Sequence, residues 1–302
     1  MTDTLAYLTA IHEADLDAVR AVGRVLPEIT NAVDAIAARL DAGGKWINVG
    51  AGTSGRLGVL DASELPPTFG VPPRLVTGLI AGGDEALVNA VEGAEDDEAQ
   101  GAEDVKLAGV RAQDVVLGIA ASGATPYVAG ALRWGKGIGA LTVALVCAPH
   151  SRLASIADLA LVVETGPEAL RGSTRMKAGT AQKLVLNMLS TGVMARRGLV
   201  YRGEMIAMRP TNVKLKRRAI DIVGRVLALP PEPAERLLDS AGWELPVALV
   251  SGKWGLPVEK AKEWIAAKNG SVAQALDEEP GGAKWSQVEP RSSQGRAEGE
   301  LK

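Results

Sequence analysis

Residues 46–56 read Trp-Ile-Asn-Val-Gly-Ala-Gly-Thr-Ser-Gly-Arg, an apolar run that leads into three glycines and two hydroxyl residues. Four more apolar runs follow along the chain, at residues 75–80, 115–121, 140–146 and 159–163. Each run is continuous instead of alternating, which is typical of strands that helices cover on both faces. Helical segments such as 85–91 and 125–134 lie between them. The sequence therefore predicts an α/β fold with an open parallel sheet of about five strands.

The composition indicates an aliphatic core and excludes several chemistries. Of the 302 residues, 47% are hydrophobic but only 3% are aromatic, with one Phe against 35 Gly. A single cysteine, Cys147, excludes an internal disulfide and any zinc or iron–sulfur site built from cysteines. The two histidines, His12 and His150, leave little room for a histidine-ligated metal or a Ser-His-Asp triad. We therefore expect no metal site, and acid–base chemistry that relies mainly on Asp, Glu or Lys.

Charge and hydropathy restrict the partners and the compartment. The formal net charge of -3 argues against a nucleic-acid-binding protein, which usually carries a strong basic excess. No apolar stretch reaches the length of about 18 residues that a membrane-spanning helix needs. The N-terminus lacks a basic region followed by an apolar run, so we expect no signal peptide. These features predict a cytoplasmic protein that contacts neither nucleic acid nor membrane.

The chain has three consecutive parts that differ in composition and in predicted secondary structure. Residues 1–210 contain N-terminal helical stretches and all five predicted strands. Residues 211–278 consist of short helical pieces separated by turn signals, which predicts a small all-helical (UBA-like) C-terminal domain. Residues 279–302 are rich in Gly, Glu, Ser and Arg and almost free of aliphatic side chains, so we expect a disordered tail.

The loop after the first strand carries the clearest functional signal. Ligands bind at the carboxyl ends of the strands in open parallel sheets. Gly50, Gly52 and Gly55 let a backbone approach a ligand closely, and Thr53 and Ser54 offer hydroxyls where a helix should start. Free amides and the helix dipole favour a phosphate there. A tight turn with serine as the helix cap remains an alternative. The glycine spacing matches a dinucleotide-binding fingerprint only weakly.

Two other stretches offer similar side chains at the same edge of the predicted sheet. The third strand runs into residues 122–126, Ser-Gly-Ala-Thr-Pro, with hydroxyls just before a helix. Residues 172–183 open the long helix after the last strand, and Ser173, Lys177 and Thr180 share a face if this stretch is helical. An ordinary capped amphipathic helix would also explain the third stretch. The first two loops, each with Ser, Gly and Thr, predict two sides of one phosphate pocket.

Two carboxylates are candidates for acid–base chemistry. Glu64 precedes Leu65-Pro66-Pro67, and Glu95 follows the second strand and its helix. Neither has a Lys or Arg at helical spacing that would indicate a surface ion pair. Three acidic neighbours of Glu95 are equally available, namely Glu92, Asp96 and Asp97. The residues alone do not show which of these carboxylates is catalytic.

Several long motifs closely resemble the N-acetylmuramic acid 6-phosphate etherase family. They comprise residues 48–70, 78–83, 91–96, 118–127 and 172–192. The resemblance is strong from about Val25 to Asn212. The family belongs to the sugar isomerase (SIS) fold group, which implies a flavodoxin-like three-layer αβα sandwich that binds phosphosugars. It also implies a lyase that cleaves the D-lactyl ether of N-acetylmuramic acid 6-phosphate, without metal or redox cofactor, in cell-wall amino-sugar recycling. The products are N-acetylglucosamine 6-phosphate and D-lactate.

The resemblance also implies roles for individual residues. Glu64 matches the proton donor to the departing lactate, and Glu95 matches the other catalytic carboxylate, the base at C2. We expect burial beside the two prolines to keep Glu64 protonated near neutral pH. The family implies a homodimer, in which a site is often completed by the neighbouring subunit. Substrate and phosphate contacts are expected from Gly52, Thr53, Ser54, Arg56, Ser122, Gly123, Thr125, Ser173, Thr174 and Lys177.

Two rival functions share part of this pattern. A non-catalytic phosphosugar sensor, like the kinase-inhibiting regulator among the family's relatives, would need the phosphate loops but not both glutamates. A phosphosugar isomerase would need the C2 base but no acid for C3–O cleavage. The presence of both glutamates favours the etherase. We expect this sequence to start after an N-terminal segment, with Thr-Glu and Arg-Asn motifs, that family members usually carry.

Overall fold

The computed structural model describes residues 3–280 and has a five-stranded parallel sheet at its centre. The strands lie in the order β2-β1-β3-β4-β5, and Trp46 is opposite both Val76 and Val115. The predicted α/β fold is confirmed, and each predicted strand agrees with the structure to within one residue at either end. The strands are β1 (Trp46–Gly50), β2 (Val76–Ile80), β3 (Val115–Ala120), β4 (Leu141–Val146) and β5 (Leu159–Val162).

Helices cover both faces of the sheet. One face packs against α1 (Thr4–Gly23), α2 (Leu26–Asp41), α3 (Gly52–Phe69) and α8 (Lys177–Arg196). The other packs against α5 (Glu98–Leu107), α6 (Pro126–Gly137) and α7 (Arg152–Ile156). A short helix α4 (Glu85–Val88) and a 3-10 turn (Ala94–Asp96) connect β2 to α5. Trp46 points to the first layer and Ile47 to the second, and both are fully buried. Burial on two sides is why the strands are continuous apolar runs.

Helices α5 and α6 pack with their backbones in direct contact. A Cβ atom on Gly101 of α5 would overlap the carbonyl oxygen of Tyr127, and one on Gly130 of α6 would overlap the carbonyl oxygen of Glu98. Only glycine fits at these two positions, because any side chain would separate the helices. The Tyr127 hydroxyl on α6 also donates a hydrogen bond to the Asp104 carboxylate on α5 at 2.5 Å, which adds a polar contact between the two helices. This helix pair is therefore a closely fixed block.

The C-terminal part forms a second apolar cluster, in which Ile222, Leu238 and Leu249 are fully or almost fully buried. The cluster also includes Ile206 and Met208, so a division at residue 211 stays a prediction. The predicted helical pieces are confirmed. Of the predicted tail, residues 281–302 lie outside the described residues. Among residues 3–280, no helix is both long enough and apolar enough to cross a membrane. The elements here are β6 (Val200–Tyr201), β7 (Glu204–Met205), α9 (Val213–Leu227), α10 (Pro231–Ser240), α11 (Leu245–Trp254), α12 (Val258–Ala267) and α13 (Val272–Asp277).

Candidate active site

The strand order creates a crevice between the carboxyl ends of β1 and β3. From β1 the chain crosses to β2 on one side, then returns past β1 to β3 on the other side. Such a reversal is the usual ligand site of an open parallel sheet, because the two connections leave in opposite directions. The first two predicted loops follow β1 and β3 directly. The topology therefore brings them to the same crevice.

Helix α3 begins immediately after β1, and its first turn faces this crevice. Gly50 and Gly55 touch, since a Cβ on Gly50 would lie 2.6 Å from the nitrogen of Gly55. The first backbone hydrogen bond of the turn runs from the Gly55 amide to the Ala51 carbonyl at 3.2 Å. The amides of Gly52, Thr53 and Ser54 precede it and have no partner within the helix. They are donors that an anion can use.

Ser54 connects the first loop to helix α8. Its buried hydroxyl donates to Oε1 of Gln182 at 3.0 Å, and Gln182 is only 1% exposed. The Nε2 of Gln182 has no partner among the described residues. Thr53 also lies beside α8, because a Cβ on Gly179 would be 3.5 Å from the Thr53 methyl group. The start of α8 therefore adjoins the first loop.

The second loop packs against the segment that follows β4. The Ser122 hydroxyl accepts from the Ala124 amide at 3.2 Å, and Thr125 is the residue before α6 and makes no side-chain cap. Gly123 accepts a hydrogen bond from the Leu153 amide through its carbonyl at 3.0 Å. After β4, the Cys147 thiol lies 3.9 Å from the Ala178 carbonyl. Burial raises the pKa of Cys147 to about 12, and Glu168 adds to the shift, so this thiol is no nucleophile near neutral pH.

The third stretch differs from its prediction. Helix α8 begins at Lys177, so Ser173 and Thr174 lie in the turn before it and do not share a helical face with Lys177. The reason is an unpredicted cap. The Glu168 carboxylate accepts from the amides of Lys177 at 2.9 Å and Ala178 at 3.1 Å. Lys177 itself is 5% exposed. Glu168 was missed because no local capping spacing places it at this helix.

Glu95 lies at a small cavity next to the first loop. Its carboxylate makes no hydrogen bond or ion pair with any described residue. Arg56 lines the same cavity, where its Nε donates to the Leu87 carbonyl and its Nη2 to the Asn89 carbonyl, each at 3.0 Å. The cavity has a volume of about 170 Å³ and is lined by Ala51, Gly52, Arg56, Ala81, Ala86, Asn89, Ala90, Val91, Glu92, Gly93, Ala94 and Glu95. Three predicted site residues, Gly52, Arg56 and Glu95, therefore meet.

Glu64 lies elsewhere, and the expectation that it is buried is wrong. It sits inside α3, because Pro66 and Pro67 belong to the last part of the helix instead of following it. Its side chain is 61% exposed, and its Oε2 is 3.5 Å from the ammonium of Lys183 on α8. Twelve residues separate Glu64 from Gly52, which is about 18 Å along a helix. One chain does not bring Glu64 and Glu95 together.

A buried carboxylate, Asp61, lies one turn before Glu64 and was not predicted from the sequence. Asp61 is 3% exposed; its Oδ1 accepts from the Ser190 hydroxyl at 3.0 Å, and its Oδ2 has no partner among residues 3–280. Burial raises the pKa of Asp61 to about 6, while the bond from Ser190 and the charge of Lys183 oppose the shift. The sequence offers no signal for this, because burial arises only when α8 packs on α3.

Two negative observations complete the site. A larger groove of about 700 Å³, between the end of α3 and the C-terminal helices, contains none of the predicted site residues. Within the described part of the chain, no three His, Cys, Asp or Glu side chains are grouped to hold a metal ion.

Comparison with known proteins assigns the family. The chain is 50% identical over 273 residues to the N-acetylmuramic acid 6-phosphate etherase of Cronobacter sakazakii, which covers 90% of this chain and 92% of the relative. The enzyme of the same name from Pectobacterium atrosepticum is also 50% identical over 273 residues, covering 90% of each chain. This chain belongs to the N-acetylmuramic acid 6-phosphate etherase family.

Two further comparisons concern the fold of this family member. Residues 28–136 match the model of the glucokinase regulatory protein N-terminal SIS domain. A phosphoheptose isomerase from Francisella tularensis superposes with a TM-score of 0.50 at 20% identity, covering 64% of this chain and all of that chain. At that identity the likeness concerns the fold alone. The sheet and its flanking helices are the SIS fold.

Proposed function

We propose that this chain is a carbon–oxygen lyase that cleaves the D-lactyl ether of N-acetylmuramic acid 6-phosphate to N-acetylglucosamine 6-phosphate and D-lactate. The observation that carries the proposal is the 50% identity, over 90% of the chain, to relatives that bear the name of this activity. The crevice between β1 and β3, with its hydroxyl-rich loops and a free carboxylate nearby, supports it.

The first two loops and the start of α8 hold the phosphosugar in this proposal. Free amides at the first turn of α3 donate to phosphate oxygens. The Ser54 hydroxyl donates to Gln182 in the structure, so it must turn away before it can donate to the substrate. Ser122 and Thr125 supply hydroxyls from the other side of the crevice. In the proposal, Lys177 at the start of α8 and Ser173 and Thr174 in the turn before it complete the phosphosugar site. Phosphate binding away from the bond that breaks supplies orientation for the reaction.

The chemistry requires one base and one acid. In the open-chain aldehyde, the proton at C2 is acidified by the neighbouring carbonyl, and Glu95 removes it. The electron pair forms the C2–C3 double bond while the C3–O bond breaks, and Glu64 donates a proton to the departing lactate oxygen. Water then adds at C3, with its proton returning to C2. An ether oxygen is a poor leaving group, which is why the acid is needed.

A homodimer would resolve the separation of the two glutamates. Glu64 lies about 18 Å along α3 from Gly52, whereas Glu95 shares a cavity with Gly52. The two helices that carry Glu64 and its partner Lys183 also expose apolar side chains, since Leu60 of α3 is 43% exposed and Met188 of α8 is 38% exposed. We infer that this face contacts a second copy. In that arrangement, Glu64 of the partner subunit completes the site that contains Glu95.

The proposal extends to compartment and partners. A net charge of -3, and a described structure without a membrane-spanning helix, fit a cytoplasmic enzyme that acts on a small phosphosugar. Nucleic acid and membrane are not among its proposed partners. In the wider proposal, residues 211–278 form the separate helical domain.

A D-lactate assay tests the activity directly. Purified protein is incubated with N-acetylmuramic acid 6-phosphate, and D-lactate is measured enzymatically. We expect release by the unaltered protein, loss of release in Glu64→Gln with product binding retained, and no change in the control Glu235→Gln on the surface of α10. A folded protein that binds phosphosugar but releases no lactate would instead indicate a sensor. Interconversion of aldose and ketose phosphosugars would indicate an isomerase.

A further inference from the structure

We propose that Arg56 is a positioning residue that holds Glu95 at the substrate, instead of a ligand of the phosphate. The inference rests on the proposed function, because it assigns a role in the same reaction. Its basis is the pair of hydrogen bonds from the guanidinium to the carbonyls of Leu87 and Asn89. Both carbonyls lie on the segment that leads to Glu95.

The segment that carries Glu95 has little else to fix it. Between Gly82 and Asp97 only Ala86 is buried, and the regular structure is one turn of helix and one 3-10 turn. Such a segment gains little from apolar burial, and its conformation depends on individual hydrogen bonds. The Leu87 and Asn89 carbonyls lie at the end of α4, where the helix cannot satisfy them itself.

Arg56 supplies the missing donors from a rigid element. It is half-buried on the second turn of α3, the helix whose first turn forms part of the first loop. A guanidinium is planar and presents its donors in a fixed fork, so two bonds to two carbonyls define the position of the segment. The fork joins the phosphate loop to a point six residues before Glu95. Gly52 of the first loop, Arg56 and Glu95 all line the same cavity of about 170 Å³.

This arrangement links the two halves of the proposed chemistry. A general base must lie within hydrogen-bond reach of the proton that it removes. The phosphate loop fixes the sugar at the start of α3, and Arg56 fixes the base relative to that same helix. Two of its nitrogens are committed to backbone carbonyls. The residue therefore acts on catalysis through Glu95, and substrate affinity does not depend on it.

The test separates turnover from binding. We compare Arg56→Ala, Arg56→Lys and the control Arg20→Ala, whose guanidinium pairs with Asp17 on exposed α1. D-lactate release gives kcat and KM, and calorimetry with N-acetylglucosamine 6-phosphate gives product affinity. We expect Arg56→Ala to lower kcat by about 100-fold, the cost of misplacing a catalytic group by about 1 Å. Product affinity should stay unchanged. Arg56→Lys should recover part of kcat, because an ammonium reaches one carbonyl at a time.

A second measurement does not depend on activity. Hydrogen exchange of peptides covering residues 85–97 should accelerate in Arg56→Ala and stay as in the unaltered protein in Arg20→Ala. Unchanged exchange in 85–97 would overturn the proposal, as would a loss of product affinity that matches the loss of kcat. If the unaltered protein releases no lactate, the etherase assignment fails, while exchange and product binding still decide whether Arg56 anchors this segment.

Discussion

The ammonium of Lys183 on α8 and the carboxylate of Glu64 on α3 are 3.5 Å apart. The Glu64 side chain is 61% exposed, so water screens the pair and its contribution to stability is less than about 1 kcal/mol. Its consequence lies in orientation, because Lys183 holds the proposed acid against α8. Lys183 also faces Asp61, the buried carboxylate one turn earlier.

Replacing Lys183 with Met should therefore affect turnover more than stability. We expect D-lactate release to fall by about tenfold or more, since a general acid works only in the correct geometry. The free energy of unfolding in urea should change by less than about 1 kcal/mol. Lys106→Met is the matched control, because Lys106 pairs with exposed Glu103 at 3.1 Å away from the site. Full activity of Lys183→Met would contradict the orienting role.

A mixed dimer can show whether the two glutamates come from different subunits. Glu64→Gln and Glu95→Gln chains with different tags are coexpressed, and the species that carries both tags is isolated. If each site takes one glutamate from each subunit, one of its two sites is intact, and about half of the activity of the unaltered dimer returns. Sites built within single chains would leave the mixed species as inactive as its parents. A two-tag Glu64→Gln dimer is the control.

Asp61 should make stability depend on pH in an unusual direction. Its pKa is about 6 in the folded protein against 3.8 in the unfolded chain, so the folded state binds the proton more tightly. This contribution is greatest at low pH and is lost as pH rises toward and through 6. Between pH 4.5 and 7.5 the loss is about 2 kcal/mol. Asp61→Asn cannot titrate, so its unfolding free energy relative to the unaltered protein should rise by that amount across the range.

Urea unfolding at several pH values measures this difference. The exposed Asp34→Asn serves as the control, since Asp34 pairs with Arg196 on the surface at 3.0 Å. A constant difference between Asp61→Asn and the unaltered protein from pH 4.5 to 7.5 would show that Asp61 titrates normally.

Removing the cap of α8 should loosen the third loop. Glu168→Ala leaves the amides of Lys177 and Ala178 without their carboxylate, which costs about 1–2 kcal/mol of stability at a helix N-terminus. We expect weaker binding of N-acetylglucosamine 6-phosphate in calorimetry, because the start of α8 adjoins Thr53. Glu168→Gln keeps an acceptor, so its stability and product affinity should lie between those of Glu168→Ala and the unaltered protein. Glu164→Ala, on the exposed surface nearby, is the control. Unchanged stability and affinity in Glu168→Ala would refute the cap.

Local pattern predicted the sheet well, because burial on both faces leaves continuous apolar runs such as residues 115–120. The local pattern did not predict contacts between residues that are distant in the sequence. The cap of α8 comes from Glu168, nine residues before the helix, and the Ser54–Gln182 bond joins residues 128 positions apart. The exposure of Glu64 depends on how α8 packs on α3. Proline pairs usually end a helix, yet here Pro66 and Pro67 lie within one.

The contact between α5 and α6 restricts how this sequence can change. Helix α5 starts three residues after Glu95, so the carboxylate is attached to a helix whose distance from α6 is set by Gly101 and Gly130. A single added methyl group at either glycine would push α5 outward and carry Glu95 with it. Gly101 and Gly130 therefore influence the position of Glu95 through backbone spacing, although neither lines the cavity that contains it.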